Sequence, residues 1–332
     1  RMKPVTINSH YQWNCWKHKC CYSVIYIHTN QFDYQSCLCY LQVNFMQQLK
    51  LFIELTRMKK PIGYMLLFWP CAWGLTLVYN FSDNLITYFF YLLLFFLGSI
   101  LMRSAGCIIN DILDRKFDKK VFRTQNRPIA SGKVSVQLGL VYSSVLCLIA
   151  FLVLINFNNL TIFMALASMP LAFTYPLMKR FTYWPQLFLG ITFNYGLILG
   201  WISIDANISL SPIIFYLGAI FWTLGYDTIY GYQDIKDDEI IGLKSTSIKF
   251  KNNPYTFLIL CYLIFLTALI VVGYLMKLNI FYFMFLFIIF FQMFYFQLKK
   301  LNIKNSSSCL KVFKSNNFLG LLVFLNLLIG KI

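Results

Sequence analysis

Two short groups of acidic residues are the part of this chain best suited to chemistry. The 332-residue sequence has 12 Asp and Glu residues, and eight of them fall into these groups. The first group is Asp111, Asp114 and Asp118, and the second is Asp227, Asp234, Asp237, Asp238 and Glu239. Because carboxylates repel one another, their concentration in an apolar chain indicates a multiply charged ligand, and a divalent cation is the first candidate.

The first group has helical spacing. If the preceding apolar segment continues as a helix, Asp111, Asp114 and Asp118 stand at i, i+3 and i+7 and share one face. Asn110 lies at the edge of that face. Mg²⁺ is commonly held by carboxylates together with substrate phosphate oxygens, so we expect magnesium and phosphate here. The basic residues that follow are candidates for direct phosphate contacts. They are Lys119, Arg123 and Arg127.

Two other interpretations of the first group stay open. A solvated loop whose charges balance one another would need no ligand, although carboxylates at the end of a membrane helix usually mark function. Calcium binding is a weaker rival, because the group lacks the loop glycine and the terminal glutamate of an EF-hand.

The second group repeats the pattern at the end of another apolar segment. Asp227, Asp234 and Asp238 fall at i, i+7 and i+11, which would place them on one helical face. Asp237 lies beside them, and Tyr230 is a candidate contact for the substrate. Two such helix ends, brought together, would bind Mg²⁺ ions bridged by a diphosphate. That arrangement favours a reaction in which diphosphate leaves.

The composition places the chain in a membrane. Hydrophobic residues make up 59% and charged residues 12% of the sequence, and the mean hydropathy is +0.62. These values are typical of integral membrane proteins. The stretches that approach the roughly 20 residues needed to cross a bilayer are 61–80, 84–106, 136–156, 160–177, 184–204, 211–231, 255–276, 280–298 and 316–332. We predict an all-α fold, a polytopic membrane helix bundle of about nine transmembrane helices.

The distribution of charge argues against a nucleic-acid partner, although the formal net charge is +17. Basic residues cluster in alternate connections between the apolar stretches. The intervening connections, near Asn80, Asn158, Asp205 and Asn279, contain one basic residue, Lys277. This is the positive-inside rule. Both acidic groups are therefore expected to face the cytoplasm or its equivalent, and membrane lipid is the expected partner.

A charged site at the end of a membrane bundle indicates a lipid diphosphate, with its head at the metal and its tail among the helices. Ionising an allylic diphosphate gives a carbocation that water would destroy, so a dry apolar cavity is required. Phe, Tyr and Trp make up 19% of the chain. Their π faces could stabilise such a cation, although most must pack against lipid or one another.

Residues 1–45 differ from the rest of the chain. They contain all three histidines, five of the ten cysteines and no sustained apolar run. Their cysteine spacing lacks the paired short gaps of common zinc modules. Since Met46 could serve as a start, we predict that 1–45 is an atypical N-terminal extension outside the functional part and that 46–332 forms one transmembrane domain. Loss of activity in a chain that begins at Met46 would contradict this.

Several ordered motifs resemble those of a known family. The run Arg103–Asp118, followed by Arg123-Thr-Gln-Asn-Arg127-Pro, resembles the first Asp-rich motif of the UbiA superfamily of intramembrane prenyltransferases. The second acidic group resembles its partner motif. Further segments resemble the 4-hydroxybenzoate polyprenyltransferase branch of that superfamily. They are Lys60-Pro-Ile-Gly63, Leu-Phe-Trp69-Pro70, Tyr175-Pro-Leu-Met-Lys179-Arg180, Trp184-Pro-Gln186, Tyr226-Asp-Thr-Ile-Tyr230 and Gly242-Leu-Lys-Ser-Thr246.

This resemblance implies a Mg²⁺-dependent enzyme of ubiquinone biosynthesis that transfers a polyprenyl group from polyprenyl diphosphate to the ring of 4-hydroxybenzoate, meta to the carboxylate. By matching motifs, the residues that hold diphosphate and Mg²⁺ are Asn110, Asp111, Asp114, Asp118, Asp234 and Asp238. Asp237 is a further metal candidate, although the sequence around it departs from the bacterial pattern. The resemblance also implies that Arg180 pairs with the benzoate carboxylate and that it acts in catalysis together with Asp114, Asp118, Asp234 and Asp238.

Rival functions remain at this point. Another prenyl acceptor, such as homogentisate, a naphthoate or haem, would use the same chemistry. A cation transporter belongs to a different class, but it would more naturally hold its carboxylates near the bilayer midplane on broken helices. Because no convincing transit peptide is recognised in 1–45, we expect a bacterial inner membrane rather than a mitochondrial one, with the site on the cytoplasmic or matrix side.

Overall fold

The structure is a computed structural model that describes the backbone of residues 34–332 and the side chains of residues 45–332. The three histidines of the sequence lie outside the described residues, so the prediction about a zinc module also falls outside them.

The described part of the chain is all-α, as predicted. Its α-helices are α1 (Tyr34–Thr56), α2 (Ile62–Val78), α3 (Leu85–Asp118), α4 (Val136–Leu154), α5 (Asn159–Ala167), α6 (Met169–Thr174), α7 (Pro185–Ile202), α8 (Leu210–Gly231), α9 (Ile235–Ile241), α10 (Thr246–Lys249), α11 (Pro254–Leu275), α12 (Ile280–Phe291) and α13 (Ser306–Lys331). A 3-10 helix, Tyr175–Arg180, follows α6, and a π-helical segment, Gln292–Leu298, follows α12.

The helices confirm the predicted membrane bundle. Within the described residues, eight helical segments are long and apolar enough to cross a bilayer, and α2 is a shorter apolar helix of 17 residues. Each of the predicted stretches therefore corresponds to a helix. Successive crossings alternate in direction, so the carboxyl ends of α3 and α8, which carry the two acidic groups, fall on the same side.

The region of the predicted domain boundary is helical. Residues 51–332 form one compact unit. Helix α1 begins at Tyr34 and continues past Met46, so the backbone does not change its secondary structure at the predicted boundary. Whether 1–45 is dispensable stays a prediction.

Helix α2 lies within the core because it is apolar around its whole circumference. It packs against α3, α7 and α13. Its Trp73 is fully buried and stacks on Phe215 of α8, with ring centroids 5.4 Å apart and planes 14° apart. The Trp73 Nε1–H donates a hydrogen bond to the Gly320 carbonyl of α13 at 3.0 Å. One buried side chain thus joins three helices and has its polar atom satisfied.

Glycines allow α2 and α7 to approach closely. A Cβ atom added to Gly74 would lie 2.0 Å from the Leu197 carbonyl oxygen, and one added to Gly200 would lie 2.3 Å from the Cys71 carbonyl oxygen. Small residues at such crossings are typical of membrane helices, where packing rather than water exclusion drives association. The backbone contact fixes the position of α7 and of the 3-10 helix that precedes it.

Gly74→Ala is expected to destabilise the bundle, because the added methyl group must push α2 and α7 apart. Overpacking of this kind costs about 1–3 kcal/mol, so the midpoint of thermal unfolding in detergent should fall. Gly98→Ala on α3 is the control, because a Cβ there would meet no atom within 4 Å. Equal unfolding midpoints for Gly74→Ala and the wild type would contradict the close contact.

Candidate active site

The first acidic group lies on one continuous helix, as predicted. Helix α3 extends through Asp118, so Asp111, Asp114 and Asp118 share a face. The solvent-exposed fractions of these three residues are 2%, 1% and 7%. A buried carboxylate is strongly disfavoured unless it is paired and hydrogen-bonded, and each of these three has a basic partner.

Two arginines from different segments pair with the first and third carboxylates. Arg57 Nη2 donates to Asp111 Oδ1 at 2.5 Å. Arg127 Nη1 donates to Asp111 Oδ1 at 3.1 Å and to Asp118 Oδ2 at 2.8 Å. Arg57 follows α1 and has a backbone φ of +56°, the left-handed conformation that often ends a helix. Arg127 lies in the connection after α3.

The 3-10 helix supplies the partners of Asp114. Lys179 forms an ion pair with Asp114 Oδ2, and Arg180 Nη2 lies 3.5 Å from Asp114 Oδ1. Arg180 Nη2 also donates to the Leu113 carbonyl at 2.9 Å, and its guanidinium stacks over the Phe117 ring at 5.1 Å. Asp114 Oδ1 is buried and accepts no hydrogen bond in the described structure. Arg180 is thus held on the face of α3 rather than free.

The second acidic group is not on one helical face, and that prediction was wrong. Helix α8 ends at Gly231, and α9 begins at Ile235 after a turn in which Asp234 has φ −114° and ψ 7°. The break has a local cause, because glycine weakens a helix and aspartate favours the position before one. It also has a tertiary cause, since a Cβ on Gly231 would lie 2.3 Å from Ser247 Oγ.

Arg123 joins the two acidic regions. Its Nε donates to Asp234 Oδ1 at 2.8 Å and its Nη2 to Asp234 Oδ2 at 2.5 Å, a forked pair that only arginine can make. Its Nη1 donates to the Tyr230 hydroxyl at 3.2 Å. Arg123 follows α3 and Asp234 follows α8, so this contact brings the two helix ends together, as the sequence predicted.

The remaining predicted site residues are less closely connected. Asp238 is half-buried on α9, and burial together with the Asp234 charge raises its pKa to about 6, against the opposing effect of Lys179 and Arg123. Asn110 and Asp237 are half-buried, and in the described structure Asp237 has no ion pair. Lys119 is exposed.

The donor set suits magnesium only after the ion pairs exchange partners. In the described part of the chain, no three His, Cys, Asp or Glu side chains are grouped closely enough to hold a metal ion. The carboxylates face arginines and lysines instead. Carboxylate oxygens are nevertheless the ligands that Mg²⁺ prefers, and Asp114 Oδ1 is a buried oxygen without a hydrogen-bond partner. The residue types therefore fit the ion.

An apolar cavity of about 220 Å³ adjoins this charged site. Helices α2–α7 line it, and on α3 its lining extends from Gly106 to Leu94. The twelve residue steps between them correspond to about 18 Å of helix rise. The cavity ends at Gly106, about 7.5 Å of helix rise before Asp111, and continues toward the opposite side of the bundle.

Arg103 is a cation on the wall of this apolar cavity. Its guanidinium lies 5.3 Å from the Phe193 ring centroid and interacts with Tyr175 and Asp227. In the described part of the chain it makes none of the close ion pairs that hold the other site arginines. A Cβ on Gly63 would lie 2.9 Å from Arg103 Nε, so this glycine leaves room for the side chain.

Sequence reasoning did not include Arg57, Lys179 or Arg103 among the site residues. Lys179 stands next to Arg180 in a motif that was recognised, so adjacency was an available signal. Arg103 opens the run that contains the first acidic group. Arg57 is 54 positions from Asp111 and had no local signal that linked it to the site.

A family model describes most of the chain. Residues 67–328 match the UbiA prenyltransferase family. This chain belongs to that family. The match includes both acidic groups and nearly all the predicted membrane helices, and it favours transfer chemistry over the cation-transport alternative.

Curated members of the UbiA family resemble this protein closely. The human "4-hydroxybenzoate polyprenyltransferase, mitochondrial" is 41% identical over 285 residues, covering 85% of this chain and 75% of its own. The Drosophila melanogaster protein of the same name is 40% identical over 285 residues, which cover 85% of this chain and 71% of the relative. The Francisella tularensis 4-hydroxybenzoate octaprenyltransferase is 37% identical over 281 residues, covering 84% and 96%.

Solved UbiA homologues share the fold. The apo structure from Aeropyrum pernix K1 has a TM-score of 0.64 and 20% identity, covering 82% of this chain and 99% of its own. A homologue from Archaeoglobus fulgidus bound to DMAPP and Mg²⁺ has a TM-score of 0.62 and 19% identity, covering 84% and 97%. These likenesses confirm the membrane helix bundle.

Asp238→Asn is expected to change how stability depends on pH. The pKa of Asp238 is raised to about 6 in the folded protein by burial, above an unfolded value of about 3.9. Its contribution to the free energy of unfolding is therefore fully present below about pH 4 and is lost as the pH rises through about 6.

The measurement is the unfolding temperature of the metal-free protein in detergent between these pH values. At about pH 4, where Asp238 is protonated, the two proteins should differ little; as the pH rises through about 6, Asp238→Asn should become the more stable of the two, because asparagine carries no proton to lose. A difference that stays constant across the window would contradict the raised pKa.

Proposed function

We propose that this protein transfers a polyprenyl group from polyprenyl diphosphate to the ring carbon of 4-hydroxybenzoate that lies meta to the carboxylate, releasing diphosphate, as a step in ubiquinone biosynthesis. The relatives of that name, at 37–41% identity over most of the chain, are the main support. The juxtaposition of a charged site with an apolar cavity supports the same conclusion, because the substrate is itself divided into a charged head and an apolar tail.

The charged site would hold the diphosphate and Mg²⁺. The proposed ligands of the ion are Asn110, Asp111, Asp114, Asp118, Asp234, Asp237 and Asp238. When bound, the metal would neutralise the charge that develops on the departing diphosphate. Arg123 and Arg127 would turn from their aspartate partners to the phosphate oxygens, which accept the same forked hydrogen bonds. Lys119 is exposed and would reach phosphate at the rim, and Tyr230 would move with Arg123.

The apolar cavity would hold the prenyl tail. Its lining is mostly apolar, and its end at Gly106, between Arg103 and the first acidic group, would place the allylic carbon at the boundary between the cavity and the charged site. Excluding water there protects the allylic cation. The Tyr175 and Phe193 rings at this boundary are positioned to interact with a positive charge.

Two arginines are candidates for binding the benzoate carboxylate. Arg180 is the residue implied by the family motif, and its Nε is buried without a hydrogen-bond partner in the described structure. Arg103 is favoured by its position, because it lies on the cavity wall and makes none of the close ion pairs that hold the other site arginines. Either cation would fix the ring so that its reactive carbon faces the prenyl group.

The proposed reaction is an electrophilic aromatic substitution. The bond between the allylic carbon and the diphosphate oxygen breaks, and the electron pair leaves with diphosphate. The phenolic oxygen donates electron density to the ring, whose carbon forms the new bond to the allylic carbon. A base at the site then takes the proton from that carbon, and its bonding pair restores the aromatic ring. Asp234, at the meeting point of the two helix ends, is the proposed aid to phenol deprotonation.

The protein is an integral membrane protein. We propose an inner membrane, with the site on the cytoplasmic or matrix side as the positive-inside rule predicts. The preference for a bacterial membrane stays a prediction, since relatives named mitochondrial and a bacterial relative both match.

Membranes containing the protein should convert labelled 4-hydroxybenzoate and polyprenyl diphosphate to a lipid-soluble product only when Mg²⁺ is present. EDTA should abolish the product, and Asp114→Asn should lower the rate about 100-fold or more, as loss of one charge-stabilising group does elsewhere. Asp83→Asn, in the connection between α2 and α3 at the opposite side, is the control and should stay active. If diphosphate is released with homogentisate but not with 4-hydroxybenzoate, the protein is a prenyltransferase but 4-hydroxybenzoate is not its acceptor.

Arg180→Lys is expected to raise KM for 4-hydroxybenzoate roughly tenfold, because lysine cannot make the forked contact with a carboxylate. KM for polyprenyl diphosphate should change little. The same measurement on Arg103→Lys identifies the partner of the carboxylate. If KM for 4-hydroxybenzoate rises in Arg103→Lys but not in Arg180→Lys, Arg103 is the residue that binds the carboxylate.

A further inference from the structure

A second cavity lies on the same side of the bundle as the charged site, away from the proposed chemistry. It has a volume of about 260 Å³ and lies between the π-helical segment and the start of α13. Its polar lining includes Gln292, Lys300, Ser308 and Lys311. Nothing in the proposed transfer reaction uses these residues.

The charge around this cavity is not compensated. After Glu239 the sequence contains ten lysines and no Asp, Glu or Arg. Within the described residues, the ion pair formed by these lysines is Lys251 with Glu239, at 2.6 Å. Lys300 and Lys311 therefore contribute positive charge to a pocket that has no carboxylate of its own.

Exposed aromatic side chains place the cavity at the depth of the lipid headgroups. Lys300 Nζ lies 4.5 Å from the Phe296 ring centroid, and Lys299 Nζ lies 4.5 Å from that of Tyr295. Phe296 and Tyr295 are 41% and 43% exposed. Aromatic rings next to lysines at the end of a membrane helix are typical of the interface between hydrocarbon and water.

Buried hydrogen bonds fix the two walls of the cavity relative to one another. Tyr262 donates to Gln297 Oε1 at 2.6 Å, and Gln297 Nε2 donates to Asn316 Oδ1 at 3.3 Å. Trp222 Nε1 donates to the same Asn316 oxygen at 2.9 Å. Gln297 belongs to the π-helical segment and Asn316 to α13. The cavity is thus preformed, and π-helical turns are often found at functional sites.

We propose that this cavity binds the phosphate of an anionic phospholipid headgroup. Lys300 and Lys311 would contact the phosphate as point charges, Gln292 lies at the inner wall, and the acyl chains would lie along the exposed aromatic rings. Basic pockets between membrane helices on the cytoplasmic or matrix side suit such headgroups. A free phosphate would meet the same charges, but it would gain nothing from Phe296 and Tyr295.

The proposed lipid would lie near the active site without forming part of it. Phe313 of α13 packs on the Tyr230 ring, with centroids 4.6 Å apart. Lys311 is two residues earlier on that helix, about 3 Å of helix rise and half a turn from Phe313, so a bound headgroup would lie beside the helix that contacts the site.

The test is native mass spectrometry of the full chain in detergent, titrated with phosphatidylglycerol or with phosphatidylcholine. The wild type should bind phosphatidylglycerol preferentially. The double variant Lys300→Gln/Lys311→Gln should bind it roughly 30-fold more weakly, because each lysine is expected to strengthen binding about fivefold. The control Lys304→Gln/Lys314→Gln removes the same charge from the same region but not from the cavity lining, and it should lose less than about threefold because these lysines would not contact the bound phosphate and charges at a distance are screened.

Three results would overturn the proposal. Equal losses in the cavity and control variants would assign binding to the general surface charge. Equal binding of the two lipids by the wild type would show that the cavity does not select an anionic headgroup. Displacement of phosphatidylglycerol by equimolar inorganic phosphate would identify a free anion as the ligand. Unfolding temperatures measured without lipid establish that both double variants are folded.

Discussion

The burial of three carboxylates on one face of α3 is the constraint on which the site depends. In a membrane protein such charges are stable only with close partners. Arg57, Arg127 and Lys179 provide them from three different segments, so the ends of α1, α3 and the 3-10 helix must converge at one place. The forked contact between Arg123 and Asp234 adds the end of α8. Electrostatics thus ties together connections that hydrophobic packing alone would leave independent.

In the proposed reaction, the same ion pairs would prepare the site for a charged substrate. With no diphosphate present, Arg57, Arg123, Arg127 and Lys179 each pair with a carboxylate. A diphosphate with its metal would offer these basic residues phosphate oxygens and would offer the carboxylates a cation, so the two sets would exchange partners. The apolar cavity that extends from Gly106 to Leu94 separates an apolar half of the site from the charged half. Close contact between α2 and α7, through Gly74 and Gly200, holds one wall of that cavity in place.

Sequence patterns were reliable where one local property decided the structure. Hydropathy located the membrane helices, because a bilayer demands about 20 apolar residues whatever the surroundings. The spacing of Asp111, Asp114 and Asp118 gave their common face, because one uninterrupted helix carries them. The spacing of the second group misled, since α8 stops at Gly231 where it packs against Ser247. The contact between Gly231 and Ser247 joins two different helices, which local spacing does not reveal.

By itself, the sequence determined the membrane bundle, the connections that carry the charged residues, and the two acidic groups together with their family. Composition, charge distribution and local spacing contain that information. Only the tertiary structure decided which basic residue neutralises which carboxylate, that Arg103 lies on an apolar cavity wall, and that a second basic cavity exists beside α13. Ion pairs and cavities are formed by segments far apart in the chain, and their partners depend on how the helices pack.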